Sequence, residues 1–283
     1  MNDLTTNDDL LNLLKRTESV LETSNSLVVD FLFRGAGVSR KASTIPGELL
    51  TEIDQAVDKL LREQLLAILP GSGWRSEESD AIESSGSEKY IWVVDPIDGT
   101  NNLVYQPSAG EYGTSIALFR GNELVLGVLG FPLGFSRDPE QPIVLSGLVS
   151  ERIVRVNGEQ IILSSHSGDP SVVASWNDHW VRQIVANEIP VYAVGSVVMR
   201  LALVATGQAT TYVSSGFPQR KTEHYALHDV AGGAAIVRAA GLELYGVGGR
   251  PVDVLSSTTH IAPFVAGERS EALDLIDAMA ALY

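Results

Sequence analysis

Two aspartates, Asp95 and Asp98, flank a Pro96–Ile97 dipeptide at the end of an apolar run, Trp92–Val94. Carboxylates this close repel each other, and each prefers water to a protein interior. A cation, a proton or exposure to solvent has to offset the arrangement. Proline restricts the backbone at the bend, so both side chains can address one point. Gly99 and Thr100 follow at once, and backbone N–H groups at such a turn or helix start can receive an anion. Carboxylates for a cation beside N–H donors for an anion describe metal-assisted phosphate chemistry. Taken singly, Asp-Pro and Asp-Gly are ordinary turn pairs, and Asp98 could cap a helix. The run as a whole favours the chemical reading.

A hard divalent cation such as Mg²⁺ takes about six oxygen ligands, so more acids are needed. The segment "WRSEESD" supplies Glu77, Glu78 and Asp80, which alone would read as a solvated acidic loop. "HDVAGG" supplies Asp229 near a helix start, where capping is the ordinary alternative. Asp54 carries the same ambiguity. His224 and His228 are four apart, but Pro218 upstream and a helix expected to start near Asp229 put them in a loop. No third ligand of zinc type accompanies them. A G-x-S-x-G elbow and a P-loop are both missing from the sequence.

Several elements must carry these groups to one place. Apolar residues recur at helical spacing from Asn7 to about Phe33, and again from about Thr51 through Leu66, with Thr51 and Asp54 resembling a capping pair. "YIWVVD" reads as a strand covered on both faces and ending at Asp95. Gly121-Asn122 and Asn157-Gly158 mark two hairpins. Further on, strands in "SVVASW", "PVYAV" and "ATTYVSS" alternate with helices at Ser196–Ala205 and from about Asp229 to Gly241. A Gly-rich hairpin, "GLELYGVGGRPVD", and an amphipathic C-terminal helix close the chain. Strands and helices interleave, as in an α/β protein built as one large domain or two closely packed halves. The change of character falls near 145–165.

Composition narrows the function classes. The chain has 20 Lys+Arg against 35 Asp+Glu, a net charge of −15, so it lacks the excess of cations a nucleic-acid binder needs. Cysteine is absent, which removes disulfides, thiolate nucleophiles and thiolate metal ligands. The N-terminus is acidic where a signal peptide is basic and then apolar. The longest apolar run, Leu124–Phe135, is broken by Gly and Pro and is too short to span a bilayer. A soluble, cytoplasmic protein without a membrane or nucleic-acid partner is expected.

"SEES", "WVVDPIDGTNN" and "HDVAGG", in this order, resemble the motifs of the inositol monophosphatase-like phosphatases. That superfamily also holds fructose-1,6-bisphosphatases, bisphosphate nucleotidases and histidinol-phosphate phosphatases. "TEID", "VNGEQI", "VGSVVMRLALVATG" and "AAGLEL" extend the resemblance over about residues 10–265. It implies a layered α-β-α-β-α sandwich, with 1–150 an α+β half carrying the metal and phosphate motifs and 151–283 an α/β half completing the metal site and substrate pocket. It also implies a Mg²⁺-dependent, Li⁺-sensitive phosphatase, commonly a homodimer. Two to three Mg²⁺ per subunit are implied. Glu77, Asp95 and the Ile97 carbonyl would hold one, Asp95 would bridge to a second completed by Asp98 and Asp229, and a weaker third would use Glu77. Asp98, Gly99 and Thr100 would face the phosphate. Glu77, Thr100 and Asp54 would serve catalysis, Thr100 with Asp54 orienting or deprotonating the water. The implied reaction is in-line attack of a metal-activated water on a small phosphate monoester, without a covalent intermediate.

The same resemblance builds the opposite wall from Gly195, Ser196 and Val197 and from the loop before Asp229. There Glu223 is the candidate for sugar hydroxyls, and Arg220 and Lys221 for a second phosphate. This chain departs from the family pattern at Ser76, where a glycine is usual, at His228, where a Trp is usual, and in the length of "GFPQRKTEHYAL". An inositol-phosphate-like monoester is the leading substrate. A bisphosphate (fructose 1,6-bisphosphate or a 3′,5′-bisphosphate nucleotide) or histidinol phosphate is the alternative. Outside enzymes, the rival is an inactive metal-binding regulatory relative, and the joint presence of Glu77, Asp95, Asp98, Thr100 and Asp229 argues against it.

Overall fold

The computed structural model describes residues 6–34, 46–135, 140–162, 171–175, 189–214, 225–255 and 260–280. Two long helices come first, α1 (Asn7–Val29) and α2 (Pro46–Ile68). Thr6 caps α1 by accepting from the Asp9 N–H, and the Asp9 side chain returns the bond to the Thr6 N–H. After Val29 a short π-helical segment, Asp30–Arg34, extends the helix. The second helix begins earlier than its apolar pattern indicates. It opens on Pro46, whose missing N–H costs nothing in a first helical turn, so Thr51 lies inside the helix and not at its cap.

A seven-stranded sheet follows in strict sequence order. Its strands are β1 (Gly73–Ser76), β2 (Tyr90–Asp98), β3 (Gly113–Arg120), β4 (Glu123–Phe131), β5 (Ile143–Leu148), β6 (Ile153–Val156) and β7 (Glu159–Gln160). Only the β1–β2 pair is parallel; the remaining neighbours are antiparallel. Both expected hairpins are present, the second with Asn157 at φ 48° and Gly158 at φ 80°, as its two-residue turn demands. Between β2 and β3 lie α3 (Thr100–Tyr105) and a single 3₁₀ turn, Pro107–Ala109.

The second sheet has the order β12-β14-β10-β8-β9, from β8 (Val172–Ala174), β9 (Val191–Ala193), β10 (Thr211–Val213), β12 (Glu243–Gly246) and β14 (Phe264–Gly267). A two-stranded ladder joins β11 (Tyr225–Ala226) to β13 (His260–Ile261). Helices α4 (Val197–Ala205) and α5 (Leu227–Ala239) run between the sheets, and α6 (Arg269–Ala280) covers the outer face of the second.

Burial follows these layers. One face of the first sheet, with Trp92, Val94, Ile116 and Val128, is sealed by Leu14 and Leu21 of α1 and Val57 and Leu61 of α2. Its other face, with Val93, Ala117 and Leu129, meets α5 and α4 in a core shared with Tyr212 and Phe264 of the second sheet. Ala272, Ile276 and Met279 of α6 close a third cluster against Val213 and Val265. The order is therefore α1/α2, sheet, α4/α5, sheet, α6, the layered α-β-α-β-α sandwich expected. The buried cores are apolar enough to stabilise the assembly, which lets the polar groups below be placed for chemistry.

Candidate active site

Asp95 and Asp98 lie on one strand, not on a strand and a following loop. The β2–β3 ladder runs regularly from Tyr90 to Asp95, shifts register, and resumes at Asp98 opposite Gly113. Pro96, which has no N–H to give a ladder, occupies the irregularity. A bulge of this kind breaks the regular alternation of side chains along a strand. Asp95 is 1% exposed and accepts the Ile97 N–H at 3.0 Å. Burial lifts its pKa well above the usual carboxylate range, and Asp98, Glu77 and Asp229 lift it further. Asp98 is raised by burial too, against hydrogen bonds from Ser196 and Val198 and the positive charge of Arg200.

Glu77 reaches this group from the turn after β1. Its N–H donates to the Val94 carbonyl at 3.3 Å, tying the acidic loop to β2, and Trp74 Nε1 donates to Ser79 Oγ at 2.9 Å. Ser76, the departure from the family's glycine, has a partner in this fold: its hydroxyl donates to Asp58, buried on α2. Asp54, one turn before Asp58 and also buried, has its pKa raised to about 7 by burial, then by Glu78 and Glu77.

Asp229 arrives on α5, which starts at Leu227, two residues before the expected point. Asp229 thus sits in the first turn, where its Oδ2 accepts the Ala226 N–H at 3.2 Å. Its pKa is raised to about 7 by burial, Asp98 and Glu77. The glycines of "HDVAGG" explain how close this helix comes. A Cβ on Gly232 would fall 2.5 Å from Ser115 Oγ, and one on Gly127 of β4 would fall 2.2 Å from the Gly232 carbonyl. His228 belongs to the same helical turn, not to a loop. Its Nε2 is 3.2 Å from Asp229 Oδ1 and 3.8 Å from Glu77 Oε2. Burial lowers its pKa, while Glu77 and Asp98 oppose the shift.

The turn after Asp98 has the form an anion receiver needs. Gly99 adopts φ 88°, and a Cβ there would lie 2.6 Å from the Glu111 carbonyl. It stands at the N-cap of α3 with no side chain capping the helix. The first N–H groups of a helix have no partners within it. The Thr100 hydroxyl donates to the Ile97 carbonyl at 2.8 Å, leaving its lone pairs as acceptors. Across the site, Gly195 N–H donates to Glu111 Oε2 at 2.8 Å. Ser196 Oγ and the Val198 N–H donate to Asp98 Oδ2 at 2.6 and 2.8 Å.

Five carboxylates from α2, the β1–β2 connection, β2 and α5 thus share one electrostatic field. Among the described residues, no three His, Asp or Glu side chains stand close enough to enclose a metal ion. The donor set is nevertheless hard oxygen and strongly anionic, which suits Mg²⁺ chemistry. The fit lies in the donors; the spacing is not that of a finished cage. Glu223, Arg220 and Lys221, with His224, lie outside the described residues. Asp58, Glu111 and Arg200 were not singled out from the sequence. Only Arg200 left a clear signal there, as a lone charge inside the apolar run "VVMRLALVA".

Comparison with known proteins agrees with this fold. A profile of the inositol monophosphatase family matches residues 27–279. The chain is 27% identical over 240 residues to an inositol-1-monophosphatase of Mesorhizobium japonicum, covering 82% of this chain and 83% of that protein. It is 28% identical over 232 residues to human inositol monophosphatase 1, covering 75% and 76%. Among solved structures, inositol monophosphatase II of Staphylococcus aureus superposes with a TM-score of 0.71 at 18% identity, covering 94% of each chain. An inositol monophosphatase from Anabaena does so at 0.70 and 20%, covering 96% and 97%.

Proposed function

The chain belongs to the inositol monophosphatase family and is a phosphoric monoester hydrolase, and we propose that it hydrolyses a small phosphate monoester with Mg²⁺, inositol monophosphate being the first candidate. The observation that carries the reading is the gathering of Asp54, Glu77, Asp95, Asp98 and Asp229 in one field, where burial and mutual repulsion raise Asp54 and Asp229 to about 7. Such a set is costly on its own and suits two to three divalent cations. Glu77, Asp95, the Ile97 carbonyl, Asp98 and Asp229 would hold them. When bound, Mg²⁺ supplies Lewis-acid neutralisation of the phosphate charge.

The chain's own groups supply the rest. Gly99 and Thr100 present N–H groups to the phosphate from the start of α3. Asp54 accepts the proton of the attacking water, with the Thr100 hydroxyl as orienting acceptor and Glu77 beside it. Gly195–Val197 form the wall opposite the phosphate. The phosphate-facing N–H groups and four of the five carboxylates come from 1–150, while 151–283 adds Asp229 and that wall. A homodimer is part of the same reading, checked by sedimentation.

The decisive assay is phosphate release from inositol 1-phosphate, fructose 1,6-bisphosphate, histidinol phosphate and a 3′,5′-bisphosphate nucleotide, each with Mg²⁺ and with EDTA. Turnover of the inositol ester that requires Mg²⁺ is expected. Turnover undiminished by EDTA would reject the metal reading, and preference for a bisphosphate would replace the substrate.

A further inference from the structure

Arg200 stands in the apolar helix α4 and is only 3% exposed. A buried guanidinium is costly unless its donors are met. Here Nε donates to the Ser196 carbonyl at 3.0 Å, Nη2 to the Gly195 carbonyl at 2.7 Å and Nη1 to the Tyr212 hydroxyl at 2.8 Å. The group also lies over the Tyr212 ring, 5.2 Å from its centre, in cation–π contact. One planar fork therefore takes two consecutive carbonyls at the start of the helix and braces them against β10.

The other side of the same turn faces the site. Gly195 gives its N–H to Glu111 Oε2, and Asp98 Oδ2 receives both the Ser196 hydroxyl and the Val198 N–H. The turn is thus held from behind by a fixed cation and delivers two donors forward to one carboxylate oxygen. Within its own strand Asp98 lies just past a register shift, paired with Gly113.

We infer that Arg200 is a positioning residue of the hydrolytic site: its fork fixes the Gly195–Ser196 turn, and that turn sets the direction of the Asp98 carboxylate and its capacity to take a divalent cation. The inference rests on Asp98 being a cation ligand. The Arg200 fork acts through the turn, while its charge also favours the ionised Asp98 carboxylate directly. A lysine would keep the charge but could not bridge two carbonyls and a hydroxyl in one plane. Partners one step behind a metal ligand typically affect metal affinity roughly 10- to 100-fold.

The test compares Mg²⁺ binding by the full chain, read by calorimetric titration and by the Mg²⁺-induced rise in melting temperature, for wild type, Arg200→Lys, Ser196→Ala and the double variant. Arg200→Lys is expected to melt within a few degrees of wild type in EDTA but to bind Mg²⁺ at least tenfold more weakly. Ser196→Ala is expected to weaken binding in the same sense, and the double variant to be no worse than the weaker single one, because both act through one turn. Arg200→Lys binding within twofold of wild type, or a double variant equal to the product of the singles, would overturn the inference. Should Arg200→Lys not fold, Tyr212→Phe removes one acceptor of the fork without changing charge. A loss of roughly two- to fivefold is then expected, and no loss overturns the inference. A wild-type chain that binds no Mg²⁺ would overturn both this inference and the metal reading; a wild type that binds, beside an indifferent Arg200→Lys, overturns only this one.

Discussion

The carboxylate cluster should make the metal-free protein less stable as pH rises, the reverse of what salt-bridged acids do. Asp54 and Asp229 have pKa values near 7 in the fold, each against an ordinary value of 3.8. A carboxyl whose pKa is raised on folding binds more protons in the native state, so its contribution is fully present below the unfolded value and is lost as pH climbs through the folded one. For one such group, the loss between pH 5 and pH 8 is about 2–3 kcal/mol. Neighbouring acids titrate as a unit and Asp229 is a quarter exposed, so the value for one group is the expectation for the pair. Asp95 and Asp98 are raised as well and act in the same sense. His228, lowered by burial, acts oppositely below its usual value of about 6.5, but one imidazole faces four carboxyls. In a domain of this size the net loss lowers the melting temperature by about 5–10 °C. Scanning calorimetry in EDTA from pH 5 to 8 measures it, and Asp229→Asn should flatten the slope. Saturating Mg²⁺ at pH 8 should recover about 3 kcal/mol at a hundred times its dissociation constant. A melting temperature that is flat or rises with pH in EDTA would refute the reasoning.

Asp95→Asn keeps the volume and removes the most buried of these charges. Phosphatase activity at saturating Mg²⁺ is expected to fall at least ~100-fold, while melting in EDTA at pH 8 stays at or above wild type; near-normal turnover would remove Asp95 from the site. Gly99→Ala forces a side chain into φ 88° and against the Glu111 carbonyl, so a loss of about 1–3 kcal/mol together with a raised KM is expected, and a neutral effect on both would show that this turn does not shape the phosphate site. Millimolar Li⁺ is expected to inhibit by competing for the cation position proposed for Asp95, Asp98 and Asp229; insensitivity that His228→Trp converts to inhibition would trace the difference to His228.

Local chemistry made much of this molecule legible before its structure. The hairpins at Gly121-Asn122 and Asn157-Gly158 rest on turn residues whose backbone preferences are intrinsic, and both formed where expected. Helix α1 followed from apolar spacing, a helix was expected at Ser196–Ala205, and the strand ending in the Asp95–Asp98 run was expected from its continuous apolar residues. What was not legible depends on partners remote in sequence. Strand β2 passes through Pro96 because a register shift in its pairing with β3 absorbs the missing N–H, a fact about two strands and not one. Helix α5 starts at Leu227 because Asp229 serves from inside the first turn, where its carboxylate can reach Ala226 and still face Glu77.

Ser76 and Arg200 teach the same lesson from opposite sides. Ser76 looked like a loss from a family pattern, and in the fold its hydroxyl is bound to Asp58 eighteen residues away. Arg200 looked like an interruption of an apolar helix, and in the fold it braces the turn that meets Asp98 across 98 residues of chain. A charge in a buried stretch has to be matched somewhere, so its presence could be flagged from sequence alone. The identity of the match could not, because the acceptors are backbone carbonyls and a tyrosine hydroxyl, groups that leave no pattern in the sequence until the chain has folded around them.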